Sequence, residues 1–255
     1  MNHSFVNYKK KPAMKAMIFA AGLGTRLGSV TRHRPKALVE VAGKPMLAHV
    51  VGRLKQAGVT SIIINLHHFA DKIKTFVAAE NNFGIEISFS DETAQLLDTG
   101  GGLLKARGFF DDGQPFVVHN VDVISNINIR AMLQQHNTSQ ALATLFVQNR
   151  KSTRYLLFDE AMLLRGRHDT RSNETTFSTD RQNNLHQLAF NGIHIINPAI
   201  FDHFAQSGAF SIIQTYLSLA GNHTIKGFRD DEAVYLDIGK PDALQAAQQL
   251  IGKIN

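Results

Sequence analysis

At 255 residues the chain is long enough to bury a full core without crosslinks, and 44% hydrophobic with 19% charged residues is an ordinary globular balance. The absence of cysteine excludes a disulfide framework, Cys-ligated zinc or iron–sulfur sites and a thiol nucleophile. The net charge of +6 is a weak pointer to nucleic acid, because Lys9, Lys10, Lys11 and Lys15 supply much of it and no later Lys/Arg stripe carries interleaved aromatics.

We therefore expect a basic leader over residues 1–14, a single folded domain over 15–252, and no nucleic-acid partner. Gly22 and Gly24 interrupt the first hydrophobic run before it could serve as a signal-peptide core, and no run approaches the ~18 apolar residues of a membrane span. A cytoplasmic protein without a membrane partner, monomeric or homo-oligomeric, is expected.

Short apolar runs alternate with helix-period segments from Lys15 onward, which predicts an α/β fold: a doubly wound, mostly parallel, Rossmann-like sheet in a single domain. Met17 to Ala20 is the first expected strand, followed by a glycine-rich loop. Pro45 stands at a first helical position, and Met46, Leu47, Val50, Val51 and Leu54 form a stripe that Gly58 ends. Ser61 to Leu66 reads as a strand, Ile73, Phe76 and Val77 mark a helix stopping near Asn82 and Gly84, and Ile85 to Phe89 alternates as a strand. Thr99 to Gly102 is expected as a loop leading into a short helix at Leu103, and Phe116 to His119 as a buried strand with Asp122 just past its end. A helix from about Asn128 to His136 precedes strands at Ala141 to Val147, Tyr155 to Phe158 and Leu188 to Ile196. The polar stretch Gly166 to Leu185 reads as a mobile excursion over a binding site. Helices at Ile212 to Leu219 and Ala243 to Ile251 flank a strand at Tyr235 to Ile238.

In open α/β sheets ligands bind outside the strand carboxyl ends, which is where Ala21-Gly22-Leu23-Gly24-Thr25-Arg26 falls. Its spacing is neither G-x-G-x-x-G nor a P-loop, since the third glycine comes one residue late and Gly43-Lys44 lacks both the following Ser/Thr and the upstream glycine. Glycine lets backbone amides approach phosphate, and Arg26 with Lys36 adds two cations suited to a triphosphate. A glycine-rich turn with its cations on a solvated face is the alternative.

Gly22-Leu23-Gly24-Thr25-Arg26-Leu27, then Thr31, then Pro35-Lys36-Ala37-Leu38, then Gly43-Lys44-Pro45-Met46 together resemble the signature of the sugar-1-phosphate nucleotidylyltransferases. The chain is most similar to the N-acetylmuramate-1-phosphate uridylyltransferase-like members, which are short; larger relatives add a β-helix, and none is expected here. This resemblance implies an enzyme that joins a nucleoside triphosphate, preferably UTP, to a sugar 1-phosphate and releases pyrophosphate. It implies Arg26 and Lys36 as catalytic cations, and Ala21, Gly22, Gly24, Thr25, Thr99, Gly100, Gly101 and Asn120 as nucleotide-binding residues. Asn191 and Gly192 are implied for the sugar, and Asp122 and Asp237 for Mg²⁺, with Mn²⁺ as a substitute. Val121, Lys240 and Gly28 depart from the family pattern.

The reaction suits these residue types. A phosphate monoester is already largely dianionic at pH 7, so the task is to bring anions together, and two aspartates plus substrate phosphates are a normal Mg²⁺ environment. Other readings stay open at this stage. Asp122 could cap the following segment and Asp237 could begin a turn. His67, His68 and His119 could reach a metal, although strand-end roles suit them better. Arg150, Arg154 and Arg181 could reach an acidic sugar phosphate or simply line a solvated face. Guanylyl or cytidylyl transfer, transfer to phosphocholine, and a non-catalytic nucleotide-sugar sensor are the competing functions.

Overall fold

A computed structural model describes residues 14–180, 183–239, 243–244 and 246–247, with residues 25, 26 and 29 described by backbone alone. Strand β1 (Met14–Phe19) lies inside the sheet. Ala16 and Ile18 join one core layer and Met17 the other, and all three are fully buried, which is why this strand shows no alternation. A hairpin of β2 (Glu40–Val41) and β3 (Lys44–Pro45) leads into α1 (Met46–Ala57), so Pro45 ends a strand one residue before the first helical residue. Leu47, Val50, Val51 and Leu54 bury one face of α1, and each such side chain contributes about 1.5–3 kcal/mol relative to exposure. Next come β4 (Val59–Leu66), α2 (Ala70–Ala79), β5 (Glu86–Asp91) and α3 (Asp98–Lys105).

The second half contains β6 (Phe116–Asn120), β7 (Val123–Ser125), α4 (Ile129–Ser139), β8 (Ala143–Gln148), β9 (Arg154–Phe158), β10 (Leu164–Asp169) and β11 (Glu174–Phe177). It continues with β12 (His186–Ile196), α5 (Ile212–Leu219), β13 (Ile225–Arg229) and β14 (Tyr235–Asp237). The body of the sheet runs β13-β8-β12-β6-β1-β4-β5, with every strand parallel except β12. One layer, with α1, α2 and α4, covers one face, and a second, with α3 and α5, covers the other, as a doubly wound sheet requires. A smaller cluster of Val41, Met46, Ile124 and Ile238 seats the β7–β14 pair beside the β2–β3 hairpin.

Three expectations need correction. The segment Thr99 to Gly102 is helical, because Gly100 and Gly101 press against Phe210 and Gly208 and Gly102 against Glu92, where a Cβ would find no room. Much of Gly166 to Leu185 is an ordered hairpin, β10–β11, that extends the sheet through β9. Its side chains are largely polar, so no apolar periodicity marks it. Strand β13 pairs with β8 where no strand was expected, since Gly227 interrupts a run of only five residues. Of the expected helix at Ala243 to Ile251, the described residues are helical, and the others lie outside the described part.

Candidate active site

The parallel strands deliver their carboxyl ends to one edge. There the loop after β1, the ends of β4 and β6, and the start of α3 enclose a cavity of about 420 Å³ lined by Ala21, Gly22, Asn65, Thr99, Asn120 and Asp122. It is continuous with a second cavity of about 300 Å³ bounded by Gly22, Gly24, Lys36, Asp122 and Gly239. A groove of about 460 Å³ between α4 and β13 lacks carboxylates and offers only Lys226 as a charged group.

Gly24 holds φ +67°, and a Cβ there would lie 3.1 Å from Thr31 and 3.3 Å from Lys36, so glycine lets the loop fold back onto both. The Thr31 hydroxyl donates to the Gly24 carbonyl at 2.9 Å and clasps that turn. Lys36 is buried to 8% exposure, and its Nζ donates to Asp122 Oδ2 at the wall of the smaller cavity. The side chains of Thr25 and Arg26 lie outside the described part, so only their backbone is placed, in the turn following Gly24.

Asp122 and Asp237 come together through the β7–β14 pair. Asp237 sits opposite Val123 in the ladder, and the Ile238 amide donates to the Asp122 carbonyl at 3.0 Å. Gly239 N–H donates to Asp237 Oδ1 at 2.7 Å, so the turn reading of Asp237 holds as well and leaves Oδ2 without a donor among the described residues. The described residues contain no cluster of three or more metal-ligating side chains. Two carboxylates without a third fit Mg²⁺, which takes the rest of its shell from water and phosphate, and fit poorly a closed all-protein cation cage.

Sequence reading missed a polar group that shapes the larger cavity. Asn65 Oδ1 accepts from Ala20 N–H at 2.7 Å and Ala21 N–H at 3.2 Å, while its Nδ2 donates to Glu92 Oε1 at 2.8 Å. Glu92, 1% exposed, accepts the Leu97 amide through its other oxygen at 3.2 Å. The available signal was a lone amide closing an isoleucine run, the pattern that Asn120 shows on β6. Beside this network Asp98 lines the cavity at φ +56°, a left-handed conformation that costs a non-glycine residue energy and clusters at functional sites.

The predicted nucleotide and sugar residues divide into wall and support. Ala21, Gly22, Thr99 and Asn120 line the larger cavity, whereas Gly100 and Gly101 are turned inward with both amides donating to the Phe210 carbonyl. The Thr99 hydroxyl accepts from the Ile212 amide at 3.0 Å and so fixes the start of α5. Gly192, at φ +72°, packs so close to Asn120 that a Cβ would meet its Nδ2 at 2.5 Å. Asn191 is fully buried, donates to Gln148 Oε1 at 2.8 Å and accepts from Arg150 Nε at 2.7 Å. Arg154 pairs with Asp169 at 3.4 Å on the surface, and Arg181 and Lys240 lie outside the described residues. His67 and His119 bond to the carbonyls of Glu92 and Asn120, the strand-end role expected of them. Burial lowers the His119 pKa to about 4, leaving its ring neutral at physiological pH.

A doubly wound sheet with an amide-rich loop, a buried lysine and two adjoining carboxylates at its carboxyl edge defines a nucleotide-handling enzyme of the phosphoryl-transfer type. The nucleotidyl transferase family pattern matches residues 15–158. The N-acetylmuramate alpha-1-phosphate uridylyltransferase of Caulobacter vibrioides is 33% identical over 91% of this chain and 95% of its own. The enzyme of the same name from Neisseria meningitidis serogroup B is 30% identical over 94% and 99%. Among solved structures, the UDP-glucose pyrophosphorylase of Acinetobacter baumannii superposes with a TM-score of 0.75 at 18% identity, covering 95% of this chain and 100% of that one, a likeness of fold. The chain belongs to the sugar-1-phosphate nucleotidylyltransferase family. Among the described residues no helix is long and apolar enough to cross a membrane.

Proposed function

We propose that this enzyme transfers UMP from UTP to N-acetylmuramate 1-phosphate. An oxygen of the sugar phosphate bonds to the α-phosphorus, the bond from that phosphorus to the bridging oxygen of the β-phosphate breaks, and pyrophosphate carries away the electron pair. The observation that carries this reading is the meeting of the glycine loop, Lys36 and Asp122 at one cavity, with Asp237 on the strand paired to the segment just after Asp122. The choice of sugar and base rests on the two curated relatives that match along almost the whole chain.

In this reading the exposed amides of the Gly22–Gly24 turn cradle the phosphates, with Arg26 beside them. Lys36 leaves Asp122 for the triphosphate and offsets charge developing on the leaving pyrophosphate. Asp122 and Asp237 would hold Mg²⁺, which would supply positive charge to offset that of the phosphates. Ala21, Thr99 and Asn120 wall the nucleoside, with Gly100 and Gly101 supporting that wall from behind. A sheet edge of this kind also serves guanylyl transfer, since base choice depends on loop shape around Asp98 and Thr99.

Pyrophosphate release, measured with a panel of nucleoside triphosphates and sugar 1-phosphates, tests the proposal. UTP with N-acetylmuramate 1-phosphate should give the highest kcat/KM, Mg²⁺ or Mn²⁺ should be required, and EDTA should stop turnover. Asp122→Asn and Asp237→Asn should each abolish it with the melting temperature preserved. A variant retaining near-normal turnover removes that aspartate from the site, and GTP outcompeting UTP replaces the base.

A further inference from the structure

Arg150 follows β8 on the same sheet edge as the loop after β1 and the end of β6, because β8 runs parallel to both. It is held there unusually firmly for a partly buried cation. Its Nε donates to Asn191 Oδ1 at 2.7 Å, one terminal nitrogen donates to the Phe190 carbonyl at 3.0 Å, and the guanidinium lies 4.1 Å from the centre of the Tyr235 ring. Asn191 is in turn fixed by Gln148, whose amide donates to the Asp230 and Ala233 carbonyls leading into β14.

These partners are all neutral. Among the described residues no carboxylate lies within ion-pair distance of Arg150, whereas Arg165, Arg171 and Arg229 each have one at 2.7 Å or closer. A structure that spends a buried asparagine, a backbone carbonyl and an aromatic face on orienting one guanidinium, and leaves its charge uncompensated, has prepared an anion site. Its position is specific too. Tyr235 and Asp237 are two residues apart on β14, so they share a face about 7 Å apart along the strand. Arg150 is therefore tied through Tyr235 to the strand that carries Asp237, and through Asn191 to the segment that carries Gly192.

We propose that Arg150 is the binding residue for an anionic oxygen of the acceptor, with Asn191 acting as its positioning residue. This rests on the transfer to a sugar 1-phosphate proposed above. The anion is either the phosphate that every such acceptor carries or a carboxylate elsewhere on the sugar; a planar bidentate guanidinium serves both. Asn191 then acts on the sugar only through Arg150, since both ends of its amide are already engaged.

The test compares wild type with Arg150→Gln, Arg150→Lys and Asn191→Ala, using N-acetylmuramate 1-phosphate and N-acetylglucosamine 1-phosphate as probes. Affinities for each probe and for Mg·UTP come from calorimetry, and KM and kcat from pyrophosphate release. Arg150→Gln should weaken acceptor binding at least tenfold, with UTP affinity and melting temperature unchanged. Arg150→Lys should recover part of the loss, and Asn191→Ala should reproduce a smaller version of it. Equal loss on both probes identifies the phosphate as the anion, and loss confined to the muramate identifies the carboxylate. Acceptor affinity within twofold of wild type in Arg150→Gln overturns the proposal, as does an equal fall in UTP affinity, which marks a purely structural residue. Wild-type protein that binds UTP but neither acceptor overturns the transfer reading together with this one, and that result is distinct from intact turnover that ignores Arg150.

Discussion

In the proposed reaction Lys36 would carry much of the charge stabilisation, because it is buried beside the glycine turn and engaged with Asp122. An ammonium so placed strengthens as water leaves the cleft, so its worth is greater in the transition state than in the free enzyme. Lys36→Ala should lower kcat/KM about 100-fold, equivalent to about 2.7 kcal/mol, and Arg26→Ala should act in the same direction. A loss under threefold in steady-state assays of both variants would remove both cations from the catalytic machinery. The place of Lys36 beside the glycine turn was legible in the sequence, because a charge close to spaced glycines after an apolar strand has few structural uses. Asn65 and Glu92 were not, since nothing in the order of residues shows that two polar groups 27 positions apart meet in the interior.

Elements rather than residues carry the shape of the larger cavity. β4 ends in Asn65, β5 is followed by Glu92 and α3 begins near Leu97, so one hydrogen-bonded chain sets how far the first loop stands from the helix. Asn65→Ala should strand the Ala20 and Ala21 amides and one Glu92 oxygen, at about 1–3 kcal/mol for each group left unpaired. The expected result is a fall in melting temperature of several degrees together with a tenfold or greater rise in KM for the nucleotide. A variant that melts earlier with unchanged nucleotide KM would show that the chain stabilises without shaping. The three glycines of α3 explain why this element was misread: glycine disfavours helix in isolation, but close packing on Phe210, Gly208 and Glu92 outweighs that preference. Hairpin β10–β11 escaped for a related reason, because its order comes from a ladder with β9 and not from an apolar face.

Across the whole molecule each core layer contains a buried histidine. His136 of α4 bonds to Thr144 Oγ1 at 2.9 Å on one face of the sheet, and His194 of β12 bonds to the Tyr216 hydroxyl of α5 at 2.5 Å on the other. Burial lowers their pKa values to about 4 and about 3, whereas an unfolded histidine titrates near 6.5. Between those values the unfolded chain binds more protons, so the stabilisation is complete above about pH 6.5 and is lost as pH falls toward the folded values. Each ring adds up to about 1.4 kcal/mol per pH unit to the loss. Thermal melts from pH 7 to 4 should show a steep decline that His136→Gln with His194→Gln makes shallower. A flat melting temperature through that window would mean that the rings charge without leaving their places.

The single reversed strand bears on how the chain reaches this state. β12 lies between β6 and β8, yet both of those precede it in sequence. Until β12 inserts, β6 presents one unpaired edge and β8 two, and the separation of Asn120 on one strand from Arg150 after the other is not fixed. A nascent chain stalled before β12 is complete therefore exposes three strand edges, one on β6 and both on β8, whose other partner β13 follows later still, all open to pairing with a neighbour. Chaperone demand should therefore peak just before β12 emerges from the ribosome.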